Sequence, residues 1–315
     1  MKSPTFYLKN NVKIKDNFIN YVHTKKHDVK SDLAASERWK NSLRLEKDKA
    51  FAEHQFDDFL LRYGFRSGDD LGNYLSYAET IAEIGAGEGR AVDWYLKYSK
   101  AHVFALEISD SVYYLQEKYR DNPRVTVIKA DALHHPFKKR SIDFLSCEQS
   151  LSNTIDPQKI FFSLAESLNE RSKVILSVVA RKSNVREKMD LIIRDSIARL
   201  REKDKQNAVR KITEIGKLLS EININVKVPG DCSELGTLSG KEMSLQRFIY
   251  YAVFKCFYNK EFLFDKSMEF NYDWYCYEKC NKFTLDELCI WYIKNGIRIE
   301  YVDVNDSNIN LRGGK

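Results

Sequence analysis

The chain has 315 residues, 43% of them hydrophobic, and a net charge of +6. That length holds one large core or a core with a subdomain, and no window approaches eighteen consecutive apolar residues, so no membrane span is expected. The opening MKSPTFYLKNNVKIKDNF lacks the apolar stretch of a secretory leader. The cysteines (Cys147, Cys232, Cys256, Cys276, Cys280 and Cys289) have no framework spacing, which points to reduced thiols in a cytoplasmic protein. Cys276 and Cys280 form a lone C-x3-C with no second pair and no nearby histidine, so no metal site is expected. Positive charge is uneven: residues 1–50 carry 12 basic and 6 acidic side chains, and residues 181–211 carry 11 and 5. Such segments are solvated helix faces, or they border a site for an anionic substrate or surface.

In chain order, residues 1–79 read as a polar, helical extension with aromatic anchors such as Trp39, Phe56 and Phe59; HQFDDFLLRYGF has helical spacing and ends near Gly64. From residue 80 strands and helices alternate. TIAEIGAG is a strand running into a glycine turn, EGRAVDWYLKYSK a helix, AHVFALEIS a strand and DSVYYLQEKYRDN a helix closed by Pro123. RVTVIKAD and SIDFLSCEQS are strands, PQKIFFSLAESLNE is a helix opened by Pro157, and SKVILSVVA is a fifth strand. Strands separated by such helices imply right-handed crossovers and a parallel sheet with helices on both faces. This core spans 80–182. A helical insertion follows over 183–268, with helix over 183–222, VPGDCSELGTLSG as a loop and KEMSLQRFIYYAVFKCFYN as an aromatic helix. Residues 269–315 then complete the sheet: SMEFNYDWY reads as a strand, TLDELCIWYIKNG as a helix and IRIEYVDV as the last strand, with a frayed tail NDSNINLRGGK.

Gly85, Gly87 and Gly89 lie between the first core strand and its helix, where bare backbone lets a ligand approach. A dinucleotide fingerprint is G-x-G-x-x-G with pyrophosphate on the helix N-terminus. Here the third glycine comes one residue early, and Glu88 sets a carboxylate where the pyrophosphate would lie. That favours a ligand with a positive centre and an amino-acid moiety. Glu107 ends the second strand, where a carboxylate accepts from a ribose diol, and Asp131 ends the third, where one accepts from an adenine amine.

The segments EIGAGEGR (83–90), ALEIS (105–109), KADALHHPF (129–137) and SIDFLSCEQSLSNTIDP (141–157) resemble the class I S-adenosylmethionine-dependent methyltransferases over residues 80–180. The resemblance implies a doubly wound, mostly parallel seven-stranded sheet, Rossmann-like, with its last strand antiparallel; IRIEYVDV is the candidate, and the helical insertion falls between strands five and six. It implies S-adenosylmethionine as cofactor, with Glu83, Gly85, Ala86, Gly87 and Gly89 around the methionine part. Glu107 and Ile108 would hold the ribose end, Asp131 and Ala132 the adenine, and Glu148 and Gln149 the other side. A C-terminal segment, YDWYCYEKCNKFTLDELCIWYIKNGI, is similar to a D-W-Y segment of a subset of these enzymes that act on small molecules, through Asp273, Trp274, Tyr275, Thr284, Glu287, Trp291 and Gly296. Phe283 and Tyr277 depart from it, standing where that pattern has His and Pro.

Methyl transfer requires alignment of nucleophile, carbon and sulfur, and an oxygen or nitrogen nucleophile often uses a base. The candidates are Asp273 and His135 for catalysis and Trp274, Tyr275 and Asn153 for the substrate. His134 and His135 equally read as loop histidines, Asp273 as a cap, and the aromatics as core. Many relatives carry His-His where this chain has Ser152-Asn153. The expected activity is methylation of an oxygen or nitrogen of a small molecule, in a glycan or natural-product pathway. The alternatives are a nucleic-acid methyltransferase and a methyltransferase-like binding protein without activity. Against the first, CEQSLSNT lacks the Asn/Asp-Pro-Pro-aromatic motif of base-amino enzymes, and Cys147 is followed by Glu148 rather than preceded by proline. The sequence leaves the acceptor and the oligomeric state open.

Overall fold

A computed structural model describes residues 3–10, 12–22, 49–229, 240–262, 264–276 and 280–315. Trp39, Cys232, Tyr277 and most of the loop at 228–240 lie outside these residues. Two compact units divide the chain: residues 1–179 with 283–315, and residues 180–282.

The first unit opens with β1 (Phe18–Asn20), α1 (Lys49–Arg62) and α2 (Gly68–Leu75). It continues through β2 (Thr80–Ile84), α3 (Arg90–Tyr98), β3 (His102–Glu107), α4 (Ser111–Lys118) and β4 (Val125–Lys129). Then come β5 (Ile142–Glu148), α5 (Pro157–Ala165) and β6 (Leu168–Val179). The chain next builds the second unit: α6 (Asn184–Ala198), α7 (Glu202–Glu221), β7 (Asn225–Lys227), β8 (Glu242–Ser244), α8 (Leu245–Ala252) and α9 (Phe264–Tyr275). It returns to the first with α10 (Leu285–Lys294), β9 (Arg298–Val304) and β10 (Asn308–Gly314).

The main sheet has eight strands in the order β1-β4-β3-β2-β5-β6-β10-β9. Strands β1 to β6 run parallel, and β10 is antiparallel to both β6 and β9. Every residue of β2, β3 and β4 is buried, as expected for central strands covered on both faces. On one side α1 and α3 pack aromatic on aromatic: Phe56 stacks on Tyr98 at 5.2 Å, and Phe59 lies 4.9 Å from Trp94. Gly64 closes α1 with φ +69°, the left-handed stop that glycine supplies.

The sheet is thus doubly wound and mostly parallel, with eight strands where seven were expected. The additional strand comes from the short β1 and from a different ending. The tail 308–314 is an internal strand, not a frayed end, held by Ile309 and Leu311 in the core and by Asn310 Nδ2 donating to Asp303 Oδ2 at 2.8 Å. A Cβ on Gly313 would come 2.5 Å from the Arg298 carbonyl, so bare backbone fits between two neighbours there.

In the second unit the helix expected over 183–222 is two, α6 and α7, and the long aromatic helix shortens to α8. SMEFNYDWY is not a strand: it lies in α9. Met268, Tyr272 and Tyr275 recur at helical spacing and pack on Ile197, Val209 and Ile212. Residues 269–282 therefore belong to the second unit, and the sheet resumes at Phe283, whose N–H donates to the Val179 carbonyl at 3.0 Å. The T-x-x-E of the C-terminal segment is a capping box. Thr284 Oγ1 accepts from Glu287 N at 3.3 Å, and Glu287 Oε2 accepts from Thr284 N at 2.8 Å. Trp291 of that segment packs on Phe161 and Phe283.

Candidate functional site

The strand order reverses direction between β2 and β5, the place where open α/β sheets bind ligands beyond the carboxyl ends. Four sequence-predicted positions line up along that edge on neighbouring strands: Asp131 after β4, Glu107 ending β3, Glu83 to Gly85 ending β2, and Glu148 ending β5. Hydrogen bonds tie the four ends together. Gly85 and Ala86 both donate to the Leu106 carbonyl, at 2.8 and 3.0 Å, and Ala130 donates to the Glu107 carbonyl at 3.2 Å. Ser150 Oγ, after β5, donates to the Ile84 carbonyl at 2.7 Å.

The glycines have different jobs. All three have positive φ, +74° at Gly85, +55° at Gly87 and +85° at Gly89. A Cβ at Gly85 would fall 2.4 Å from Ser150 Cβ, and one at Gly89 would fall 2.5 Å from Tyr119 Oη. At Gly87 nothing lies within 4 Å. Two glycines therefore serve packing, and only Gly87 keeps open space beside its backbone.

The acids are arranged around this turn. Glu83 is 2% exposed, and its Oε2 has no hydrogen-bond partner. Burial raises its pKa well above the ordinary carboxylate value, against a hydrogen bond from Ser146 that favours the charged form. Glu107 Oε2 accepts from Gly87 N at 2.8 Å, and Oε1 from Ile108 N and Ser109 N, each at 2.8 Å. A carboxylate offers about four lone-pair sites, so three backbone donors leave Glu107 little spare capacity; a diol would compete with Gly87 N–H. Asp131 caps the turn at 132–134, accepting from Leu133 N at 2.9 Å, and His134 Nδ1 lies 3.2 Å from its Oδ2. Ala132 begins that turn and is half-buried.

Glu148 has partners the sequence reading missed. Arg62 Nη1 donates to Glu148 Oε2 at 2.9 Å, and Tyr63 Oη donates to Oε1. Arg62 also pairs with Asp58 through Nε at 2.8 Å. Burial opposes the guanidinium charge, but the Glu148, Tyr63 and Asp58 groups around it win and raise its pKa. The Arg-Tyr pair before Gly64 was the only signal, and it lies 86 residues from its carboxylate. Gln149 is exposed, with φ +58°, an unusual conformation for a residue with a side chain, and Asn153 Nδ2 donates to its carbonyl at 3.4 Å. Ser152 is buried and accepts from Val179 N at 2.9 Å, so it fixes the loop to β6.

His135, a catalytic candidate of the sequence, lies buried in the first unit. It is 4% exposed, its Nε2 lies 3.2 Å from the Ser163 carbonyl, and its Nδ1 accepts from Phe137 N at 3.3 Å. Burial, with Lys9 nearby, lowers its pKa to about 4. Cys147 is buried too, and burial pushes its thiol up to about 12, unsuited to a thiolate nucleophile. Asp273, Trp274 and Tyr275 lie on α9 in the second unit, so they do not end a strand of the sheet as read from the sequence. An open hollow of about 450 Å³ lined by Tyr77, Glu79, Arg140, Asp143 and Asn169 sits at the opposite, amino end of β2 and β5. There Asp143 Oδ2 accepts from Glu79 N, Thr80 N and Thr80 Oγ1, each at 2.9 Å, which ties the two strands. Among the described residues no cluster of three His, Cys, Asp or Glu could hold a metal, and no helix is long and apolar enough to cross a membrane.

Residues 82–176 match the family model described as a methyltransferase domain. No curated protein matches the chain. Among solved structures, it is similar to an S-adenosylmethionine-dependent methyltransferase from Aquifex aeolicus, with 12% identity, 81% of this chain and 91% of that one covered, and a TM-score of 0.41. It is also similar to 1,6-didemethyltoxoflavin-N1-methyltransferase from Burkholderia thailandensis, with 10% identity, 89% and 90% covered, and a TM-score of 0.42. A putative methyltransferase of Haloferax volcanii, solved with the Trm112 methyltransferase activator, gives 12% identity, 91% and 98% covered, and a TM-score of 0.44.

Proposed function

We propose that this chain, whose residues 82–176 match a methyltransferase domain, uses S-adenosylmethionine to methylate an oxygen or nitrogen of a small-molecule acceptor. The observation that carries the reading is the buried Glu83 carboxylate, one oxygen without a partner, in the strand that runs into the open backbone at Gly87. A buried acid in that state calls for a donor, and the ammonium of an amino-acid moiety supplies one. In this proposal Glu83, Ala86 and Gly87 border the methionine part, with Gly85 and Gly89 shaping the turn. Glu107, through the acceptor site its three backbone donors leave or by exchange with Gly87 N–H, and Ile108 take the ribose, Asp131 and Ala132 the adenine, and Glu148 and Gln149 the remaining side. When bound, the cofactor supplies a methyl group on a sulfonium, open to in-line displacement.

The chain's own part is orientation. Glu107 is aimed by three backbone donors, Glu148 by Arg62 and Tyr63, and the loop after β5 by Ser150 and Ser152. Such preset geometry lowers the entropic cost of bringing reactants into line. Asp273, Trp274, Tyr275 and Asn153 stay as candidates for acceptor recognition. The D-W-Y segment supports placing the chain with the small-molecule subset, and the cysteine pattern supports a cytoplasmic enzyme. The basic stretch 181–211 gives the nucleic-acid alternative little support. Arg186 is buried on Asp190, Arg201 pairs with Asp204 at 3.0 Å, and Lys205 with Glu202 at 3.5 Å.

Isothermal titration calorimetry with S-adenosylmethionine and S-adenosylhomocysteine tests the cofactor assignment. Saturable binding of both, lost in Glu83→Ala, is the expected result. Absence of binding, or binding of NAD in their place, overturns it. Heparin retention with a steep salt dependence would move the acceptor from small molecule to nucleic acid.

A further inference from the structure

The second unit holds a cluster that cofactor binding does not use. Four cationic centres surround the Trp274 ring on α9. Lys255 Nζ lies 4.6 Å from the ring centroid, Lys282 Nζ 4.8 Å, Arg194 Cζ 5.3 Å and Arg186 Cζ 5.8 Å. Arg186 and Lys282 pair with carboxylates. Arg186 Nε donates to Asp190 Oδ1 at 3.0 Å, with both side chains 1% exposed. Lys282 Nζ meets Glu187 Oε2 at 2.6 Å and Asp190 Oδ2 at 3.2 Å. Arg186 also donates to the Tyr250 carbonyl, and Tyr275 Oη lies 3.4 Å from Asp190 Oδ1.

Lys255 is different. Among the described residues its ammonium has the Trp274 ring but no hydrogen-bond or ion-pair partner. The indole Nε1–H of Trp274 is buried and has no acceptor. Burial first, and Arg186 second, lower the Lys255 pKa to about 7, while Asp273, Cys280 and Asp190 pull the other way. Among the described residues, the carboxylates of Glu187, Asp190 and Asp273 act on these cations. The ring quadrupole favours cations over its face. Two donors at one indole without acceptors remain, and a buried donor in that state is destabilising unless something completes it. Lys255 and Trp274 are each half-buried as residues, and the Nε1 atom of Trp274 is itself covered.

We propose that this cluster is a binding site for a small oxyanion, a phosphate or carboxylate, with Lys255 Nζ as its donor, Trp274 Nε1 beside it and Arg194 as the adjoining cation. The anion site does not depend on the methyltransferase reading above. Bound anion stabilises the ammonium of Lys255, so the protein takes up a proton on binding near pH 8.

The test is calorimetric titration of the whole protein with inorganic phosphate and, separately, acetate. Each is run in two buffers of different ionisation enthalpy, with sodium chloride at matched ionic strength as reference. Saturable binding by phosphate, acetate or both, with proton uptake, is expected; whichever anion binds identifies the group. Lys255→Met should weaken binding by about tenfold or more and abolish the proton uptake. Trp274→Phe, which keeps a ring and removes the N–H, should weaken it by a smaller factor. Should Lys255→Met fail to fold, Arg194→Gln reads the same site from α6. No saturable heat above the chloride reference overturns the proposal, as does parent-like affinity and proton uptake in Lys255→Met. Titration of the same sample with S-adenosylhomocysteine separates the two readings. Anion binding without cofactor binding overturns only the methyltransferase assignment, and the reverse overturns only this one.

Discussion

Replacing Gly85 and Gly87 in turn by alanine separates packing from ligand space within one short turn. At Gly85 the new Cβ would lie 2.4 Å from Ser150 Cβ with φ at +74°. The left-handed conformation costs about 1–2 kcal/mol for a residue with a side chain, and forcing a methyl into a filled position costs about 1–3 kcal/mol. Gly85→Ala should therefore lose about 2–5 kcal/mol of stability, a large share of what a domain has. At Gly87, with φ +55° and nothing within 4 Å, only the conformational part applies, about 1–2 kcal/mol. The Gly87 methyl would instead occupy the space assigned to the cofactor. Urea denaturation measures the first quantity, and calorimetry with S-adenosylhomocysteine the second. Gly87→Ala should remain folded and bind at least about tenfold more weakly, about 1.4 kcal/mol. If Gly87→Ala binds like the parent, the open side of that backbone is not where the cofactor lies, and the site must be drawn elsewhere.

Other substitutions probe Glu83, His135, the hold of α1 on Glu148, and the second unit. Glu83 has a raised pKa in the folded state, so its charged form opposes folding: the contribution of Glu83 to stability is greatest below pH 4.5 and falls as pH rises from there toward the folded value, by about 1.4 kcal/mol per pH unit. Glu83→Gln should flatten that decline in urea midpoints across pH and weaken cofactor binding; a midpoint profile like the parent's contradicts the burial argument. His135 has the opposite sign. Its pKa falls from 6.5 to about 4, so the folded state loses about 3 kcal/mol between those values as pH drops. His135→Gln should remove that acid sensitivity while leaving the pH profile of methyl transfer unaltered. Arg62→Met strands Glu148 with Tyr63 alone and should cost about 1–3 kcal/mol together with cofactor affinity; full retention of both would show that α1 does not position the loop after β5. Asn271 is fully buried, donates to Thr213 Oγ1 and the Phe257 carbonyl at 2.9 Å each, and accepts from Phe257 N at 2.8 Å. Asn271→Ala should destabilise the second unit by about 1–3 kcal/mol, visible as earlier loss of hydrogen-exchange protection over 202–275.

What the sequence disclosed follows its local physics. Strands β2 to β5 are short runs of mostly apolar residues, and α5 opens on Pro157, so periodicity and punctuation placed them. Glu107 and Asp131 could be put at strand ends because each follows its run directly. The division of labour among the glycines was hidden, since Ser150 and Tyr119 reach them from distant segments. The hold of Arg62 and Tyr63 on Glu148 was hidden for the same reason. In α9 the abundance of Phe, Tyr and Trp suggested a strand, and packing of Met268, Tyr272 and Tyr275 on one helical face decided otherwise. The strand β10 was missed because Asn, Arg and two glycines mask it; its burial comes wholly from the neighbours on either side.

The hydrogen bond from Phe283 to Val179 joins the two points where the first unit's chain departs and comes back. A 3.0 Å contact of that kind is what a tight turn of a few residues spans. In topological terms the 103 residues 180–282 are a cassette hung from one socket. Lengthening such an excursion costs only logarithmically in closure entropy, so a longer or shorter cassette at this socket burdens the sheet little.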